Sequence, residues 1–411
     1  MMRAIASFWR DLTLKSQGVT LVLVGFLPIF AIVAMFPVVA SIIQHFSDEP
    51  DAVTKVPLMV TAPGLTIALL APFAGLAVDR FGRRKLLILS TLAYGVCGVA
   101  PFFLDDLNHI FASRLMLGGC EAVILTVTNT LIADYWEDTG RRNWLFLQGF
   151  FGPFFASAVI LTSGSIAALQ WNAGFLIYLV AFPIVIAVLA CIFEPGRSAD
   201  AQSGLVAPPT ATPHTPFPVA LTAIVVVVTL VTSSLYYVFI VNGSIAFGEL
   251  GVRNPAEVSR ITFLPSLFVM LGAVFFRALA KRSNTVQLGA FLFIIGLGMA
   301  GIGLAQTLPQ MIAAVIVQQT GAGMAVPTLI AWAQSKFPFE HRGRGMGAWT
   351  SAFFLGQFVS PWFVHQFAAL GGSMQASFLI CGCIAVVVSI GAPIAGSFNT
   401  RRNANRAHVA S

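Results

Sequence analysis

The sequence predicts an all-α membrane protein, with twelve transmembrane helices in two pseudo-symmetric six-helix halves, and three observations predict it. Hydrophobic residues make up 57% of the 411 and charged ones only 9%, a composition that cannot cover an ordinary water-exposed surface. Apolar runs of about 18 to 28 residues recur, each long enough to cross roughly 30 Å of hydrocarbon as a helix. The Pro-rich stretch "PGRSADAQSGLVAPPTATPHTPFP" at 195–218 parts these runs into equal sets. The expected units are therefore 1–194, a cytoplasmic linker at 195–218, and 219–411.

Taken in order, the first run covers 18–44. It follows Arg3, Arg10, Asp11 and Lys15 without the short apolar core and cleavage site of a removable leader, so it is expected to remain as a helix. The second and third, 56–78 and 86–104, are joined by "GLAVDRFGRRKLLIL" at 75–89, a tight turn where Gly82 supplies backbone freedom. The rest of the first half is 108–133, 145–168 and 172–193. After the linker come 220–244, 256–280, 286–306, 309–333, 346–369 and 374–397. None shows the ten-residue alternation of a membrane β-strand. "NTLIAD" at 129–134 and "PTLIAW" at 327–332 end the fourth and tenth runs, and "FFGPF" at 150–154 echoes "FFLGQF" at 353–358 in the fifth and eleventh. Offsets near 200 residues indicate a parallel internal repeat.

The net charge of +7 raises the question of nucleic acid, and the placement of the bases answers it. With twelve spans, 19 of the 23 Lys and Arg fall on the side that carries both termini, while Asp48, Glu49, Asp51, Asp105 and Asp106 lie opposite. This bias places both termini in the cytoplasm, makes the bases topology signals and lipid contacts, and excludes a nucleic-acid partner. Cys97, Cys120, Cys191, Cys381 and Cys383 all fall in apolar runs, without the spacing of a disulfide framework. The six His show no ligand spacing, so no metal is expected. No nucleophile–base constellation and no phosphate-cradling loop occurs, so neither an enzyme nor a cofactor is expected.

Only Arg114 and Glu121 lie well inside hydrocarbon, both on the fourth run. At 1.5 Å per residue that helix is roughly 39 Å long, with Glu121 at its middle and Arg114 roughly 9 Å from its outer end. Seven residues apart, they share a face that Gly118 and Thr128 continue. An ion at this depth costs several kcal/mol unless it meets a wet cavity or a partner. Drying favours the neutral acid and a nearby guanidinium favours the charged one, so an acid here can exchange a proton as its surroundings alternate. The competing reading is a static Arg–Glu pair that cements the bundle. In the fifth run, Gly152 and Pro153 combine close helix approach with a missing backbone bond, the makings of a bend. Asn129, Tyr236, Tyr237, Gln318, Gln319, Trp332, Trp349 and Gln357 place polar or aromatic groups where spans would line a central cavity.

The turn at 75–84 resembles the loop signature G-x-L-a-D-r-x-G-r-k of the major facilitator superfamily, in Gly75, Asp79, Arg80, Gly82, Arg83 and Arg84, with Ala77 where Leu is usual. "RLMLGGCEA" resembles that family's fourth-helix motif in Arg114 and Gly118, with Leu117 in place of Gln and Glu121 at a position that is usually small. "QGFFGPFFAS" at 148–157 resembles the antiporter signature in Gly152 and Pro153, which makes the drug/proton antiporter branch the most similar. The resemblance covers the whole chain. It implies that Asp79, Arg83 and Asp134 form a charge network that latches the outward-facing state. The second-half counterpart "FRALAKRSNTV" carries Ala280 in place of the acid. It implies a secondary transporter in which the halves rock about a midplane cavity. The expectation is proton-driven export of amphipathic or aromatic small molecules from a bacterial inner membrane by a monomer. Proton-coupled uptake of a small metabolite or organic anion is the alternative, and a non-transporting receptor the third reading.

Overall fold

The computed structural model describes residues 16–136, 138–194 and 216–390, with backbone alone at 74–79, 138–139, 142, 146 and 339. Most of the linker and both termini therefore lie outside the described residues, as do the side chains near Gly75 and Asp79. Among the described residues the chain is helical throughout. In order, α1 is Ser16–Val33, followed by a short helix Val39–His45; α2 is Ala52–Phe81, α3 Arg83–Val99, α4 Leu107–Tyr135 and α5 Asp138–Ala167. The sixth run begins as a 3₁₀ stretch, Ala173–Val180, and continues as α6, Ala181–Cys191. Then come α7, Val219–Glu249; α8a, Pro255–Ser266; α8b, Val269–Ala278; α9, Asn284–Leu304; α10, Leu308–Lys336; and α11, Arg342–Gly371. The last helix, α12, is Met374–Ile390.

Ten of these runs are each long and apolar enough to cross a membrane, and α11 with α12 pass that test together across a 112° bend. The bend falls at Gly372, which ends α11 with φ at +77°. Two expected spans are interrupted. In the first, Pro37 cannot donate, Met35 N–H bonds to the Ile32 carbonyl and Phe36 N–H to that of Val33, so the helix tightens and stops. That rearrangement takes from the Ala31 carbonyl its usual donor four residues on. In the eighth, Leu267 and Phe268 N–H bond three residues back, to Leu264 and Pro265, and separate α8a from α8b.

The turn before α3 shows why a glycine is needed. Gly82 has φ +85° and ψ 153°, a region side chains rarely adopt. A Cβ there would fall 3.1 Å from Oε1 of Glu194. That carboxylate, just past the end of α6, accepts from Arg83 N–H and Arg84 N–H, both at 2.8 Å, and so caps α3 from a distant part of the chain. Gly82→Ala should cost about 1–3 kcal/mol through backbone strain, read as a lower melting temperature in detergent. An unchanged melting temperature would count against this account of the turn.

At the opposite face, Asp106 caps α4 by accepting from Asn108 N–H at 2.8 Å and His109 N–H at 2.9 Å. The hydrogen bond from His109, helped by that from Asn108, holds its carboxyl below the ordinary carboxylate range. The charged cap is therefore in place above that range and fades as pH falls through the lowered value.

Apolar packing gathers into two clusters. One runs from Leu21 to Ile192; the other is drawn mainly from Val225 to Ala385, with Ile32, Phe36 and Ile160 joining it. Helices from the two sides of the linker touch in the middle of the bundle and toward the end remote from the termini. A Cβ on Gly64 of α2 would fall 2.8 Å from the Phe354 carbonyl of α11, and one on Gly164 of α5 would fall 2.5 Å from the Pro255 carbonyl of α8a. The hydroxyls of Ser157 and Ser266 hydrogen-bond at 2.6 Å, and Phe36 meets Phe239 at 5.2 Å between ring centroids.

Candidate functional site

α4 places both intramembrane charges. Gly118, one turn before Glu121, lets the helix approach α2 so closely that a Cβ would fall 2.4 Å from the Pro63 carbonyl and 2.6 Å from its Cα. Neither backbone atom can yield without moving a helix. Gly118→Ala should therefore lower stability by about 1–3 kcal/mol, measured as the shift of thermal unfolding; a shift within error would show that the helices can part freely.

Glu121 is 2% exposed, and its Oε1 is buried without a hydrogen-bond partner. Arg114 is fully buried, but its partners are not acids. One guanidinium nitrogen donates to the Tyr178 hydroxyl at 2.5 Å and another to the Ala31 carbonyl at 3.1 Å, while Tyr178 donates to that same carbonyl at 2.8 Å. This is the carbonyl that the break after α1 leaves without its helical donor. No ion pair joins Arg114 to Glu121 within 4.0 Å among the described residues, which removes the static pair as an account of the acid. Arg114 instead ties α1 to the 3₁₀ stretch before α6. Its uncompensated charge remains two turns from a carboxylate whose Oε1 has no bond of its own.

Across the bundle, α7 and α11 contribute aromatic rings. Tyr236 and Tyr237 meet edge to face at 4.9 Å, Tyr237 meets Phe353 at 5.6 Å, and Trp349 stacks on Phe353 at 5.3 Å. Gln357, one turn beyond Phe353, has its amide carbon 3.1 Å from where a Cβ on Gly64 would stand. The α2 segment Pro63–Gly64 thus lies between the acid-bearing helix and the aromatic group, touching Gly118 with one residue and Gln357 with the next.

Of the residues expected from the sequence, Tyr236, Tyr237, Trp349 and Gln357 come together, joined by Phe353, which sequence reasoning missed. Nothing marked Phe353 among 36 phenylalanines. Gln318 is buried with both amide atoms unpartnered, and Gln319 beside it is half-buried. Trp332 sits apart in the core, with the Lys336 ammonium 5.8 Å over its ring, and Asn129 is exposed near the end of α4. α5 runs through Gly152 and Pro153 as one helix, and the Pro153 carbonyl accepts from Ser157 at 2.9 Å. In the turn after α2, Arg83 pairs with Asp134 at 3.3 Å, Arg84 donates to the Leu189 carbonyl at 3.0 Å, and Arg80 lies 5.7 Å from the Phe81 ring centroid. Gly75 and Asp79 fall in the segment of backbone alone. Glu194 was also missed: it opens the Pro-rich tail in sequence and reaches the turn only in space.

The sequence matches the pattern described as Major Facilitator Superfamily over residues 21–288 and 222–408. The chain belongs to the major facilitator superfamily. With its membrane-length apolar helices, this fits a multi-pass membrane protein of a transporter family. Among solved structures, this major facilitator chain is similar to a D-xylose–proton symporter, with a TM-score of 0.74 and 15% identity over 91% of this chain and 96% of that one. It is likewise similar to a mutant form of the nucleoside transporter NupG, at a TM-score of 0.73 and 10% identity, over 91% and 98%. At such identities the likeness is one of fold. Among curated relatives, it is 27% identical over 161 residues to a triacylglyceride transporter of Mycobacteroides abscessus, which is 38% of this chain and 31% of that one. It is 26% identical over 126 residues to the class B tetracycline resistance protein of Escherichia coli, 31% and 30% of the two chains. It is 32% identical over 139 residues to the cis,cis-muconate transport protein of Acinetobacter baylyi, 32% of each. The match thus spans about a third of the length of these curated relatives.

Proposed function

We propose that this transporter is a proton-coupled exporter of amphipathic or aromatic small molecules, crossing the inner membrane of a bacterium twelve times with both termini in the cytoplasm and working as a monomer. One observation carries the reading: a buried, unpartnered carboxylate at mid-membrane, Glu121, on a helix separated only by the Pro63–Gly64 segment of α2 from a cluster of aromatic rings, Tyr236, Tyr237, Trp349 and Phe353. An acid without a bond of its own is free to take a proton, and rings of this kind hold an apolar or aromatic body without demanding one shape. The units 1–194 and 219–411 rock about the Gly64–Phe354 contact. With cytoplasmic termini, the touching ends make this the inward-facing arrangement. The Arg83–Asp134 pair is made in this arrangement too, so within the latch of Asp79, Arg83 and Asp134 it is the contact of Asp79 that would tie the outward-facing one; Asp79→Asn should then shift the population toward inward, and unchanged cysteine-probe accessibility across the cavity would count against the latch.

A tetracycline resistance protein and a triacylglyceride transporter among the relatives fit cargo with an apolar body. Uptake keeps support from the muconate transport protein and the proton symporter. The anion-binding role that made Arg114 part of that alternative is weakened, because its guanidinium is engaged by Tyr178 and Ala31.

Proteoliposomes with an imposed pH gradient and a panel of amphipathic, aromatic and anionic solutes decide between the readings. Solute accumulation against the direction of proton flow supports export, and accumulation along it supports uptake. Ligand binding without flux would leave neither standing.

A further inference from the structure

At the end remote from the termini, the seam between the halves encloses a cavity. α5 meets α8a there, where Gly164 lies against the Pro255 carbonyl. Just beyond that contact, about 300 Å³ opens between the two helices and the short helix Val39–His45. Such a volume is at the lower limit of small-molecule sites. Both halves line it: Ser41, Gln44, His45, Gln170 and Trp171 come from the first, and Asn254 with Pro255 from the second. One wall is a fixed stack of rings. The His45 imidazole lies on the Trp171 indole at 4.0 Å between centroids and 10° from parallel, and buried Phe46 stands nearly perpendicular to both. The chain after Trp171 is tied down by Asn172, which donates to the Phe102 carbonyl at 2.8 Å.

The rest of the lining forms hydrogen bonds without carrying charge. Ser41 donates to the Val38 carbonyl at 2.8 Å, which leaves its oxygen to accept. Asn254 accepts from Ala256 N–H through Oδ1 at 2.9 Å, which leaves its NH2 to donate. The exposed amides of Gln44 and Gln170 can do either. Among the described residues no carboxylate, ammonium or guanidinium lines the cavity, and His45 is its one titratable group. An ionic solute would give up water here for little counter-charge, whereas a neutral ring with a donor and an acceptor finds a partner for each.

We propose that this cavity is a second, inhibitory binding site for a neutral aromatic ring bearing a carboxamide-like group, reached from the outer face. The ring extends the stack of His45 and Trp171, and its polar group bonds Asn254 across the seam. Because Trp171 and Asn254 belong to different halves, rocking takes the site apart. The ligand therefore binds the arrangement whose outer ends touch and holds it there, which slows transport. The inference rests on reading that arrangement as inward-facing, and it adds a site distinct from the aromatic cluster around Phe353.

Tritiated indole-3-carboxamide is the probe, on the purified full chain in nanodiscs. It should bind saturably, and Gln44→Leu and Gln170→Leu, both at exposed positions, should each weaken it about tenfold. Asn254→Asp, which keeps the cap of α8a but removes the NH2, should do the same, while Trp349→Ala in the central cluster should leave affinity unchanged. Absence of saturable binding, or binding lost in Trp349→Ala and kept in the other three, overturns the site. Equal binding of indole-3-carboxylate or of methyl glucoside overturns the ligand class. The seam is tested with Ser157→Cys and Ser266→Cys, oxidised to a disulfide in a chain whose native cysteines are replaced by serine. Affinity should equal or exceed that of the parent chain; binding lost on oxidation and restored by dithiothreitol overturns the seam. In vesicles, the probe added on the side of the cavity should slow flux of an amphipathic dye severalfold in the parent chain and not in Gln170→Leu, and equal slowing in both overturns the inhibitory role. Binding is read without flux or a pH gradient, so its failure is distinguishable from failure of the proposed coupling through Glu121.

Discussion

Glu121→Gln should lower proton-driven flux roughly 100-fold, the scale of a lost proton-transferring group, while exchange of substrate for substrate across the membrane continues. The amide keeps the shape of the acid and removes its ability to exchange a proton. No structural penalty should mask the result. Among the described residues the carboxylate is in no ion pair within 4.0 Å, and its Oε1 has no hydrogen bond to lose. Melting temperature should therefore stay near that of the parent chain, and substrate binding should lose its dependence on pH. Wild-type pH dependence of flux in this variant would refute the assignment of Glu121 as the proton carrier.

The second large effect is on stability. Arg114→Ala removes two charge-assisted hydrogen bonds and opens a cavity among α1, α4 and the 3₁₀ stretch before α6. Charge-assisted bonds contribute about 1.5–3 kcal/mol each. Relief from burying a cation without a counter-ion offsets part of this, so a net loss of about 2–4 kcal/mol is expected. Arg114→Met separates the parts, since it refills much of the space without donating to the Ala31 carbonyl. Thermal unfolding in detergent should show Met between Ala and the parent chain. If Met matches the parent, the bonds to Ala31 and Tyr178 contribute nothing, and the account of Arg114 as the partner of the broken α1 fails.

Particular residues show how far the sequence could be read. The stripe of Arg114, Gly118 and Glu121 was legible because helical periodicity and the rarity of charge in apolar runs are local properties. Its interpretation was not, because Arg114 is engaged by a carbonyl that becomes available only where α1 breaks. The break at Leu267–Phe268 had a signal in Pro265, but Pro57, Pro63 and Pro72 leave α2 continuous. Whether a proline parts a membrane helix depends on which neighbours stabilise the freed backbone. Glu194 carries no signal at all, because its role comes from meeting a helix start more than a hundred residues away.

What the sequence by itself determined is the apolar solvent of the protein, the helical class and the isolation of Arg114 and Glu121 within one apolar run. Each of these follows from transfer energies that add residue by residue along a single helix. Only the tertiary structure decided that Arg114 binds a carbonyl rather than the acid, that Phe353 joins Tyr237 and Trp349, and that Gly164 of α5 meets the start of α8a. Those outcomes depend on which faces of separate helices meet, and that is set by packing between residues far apart in the chain.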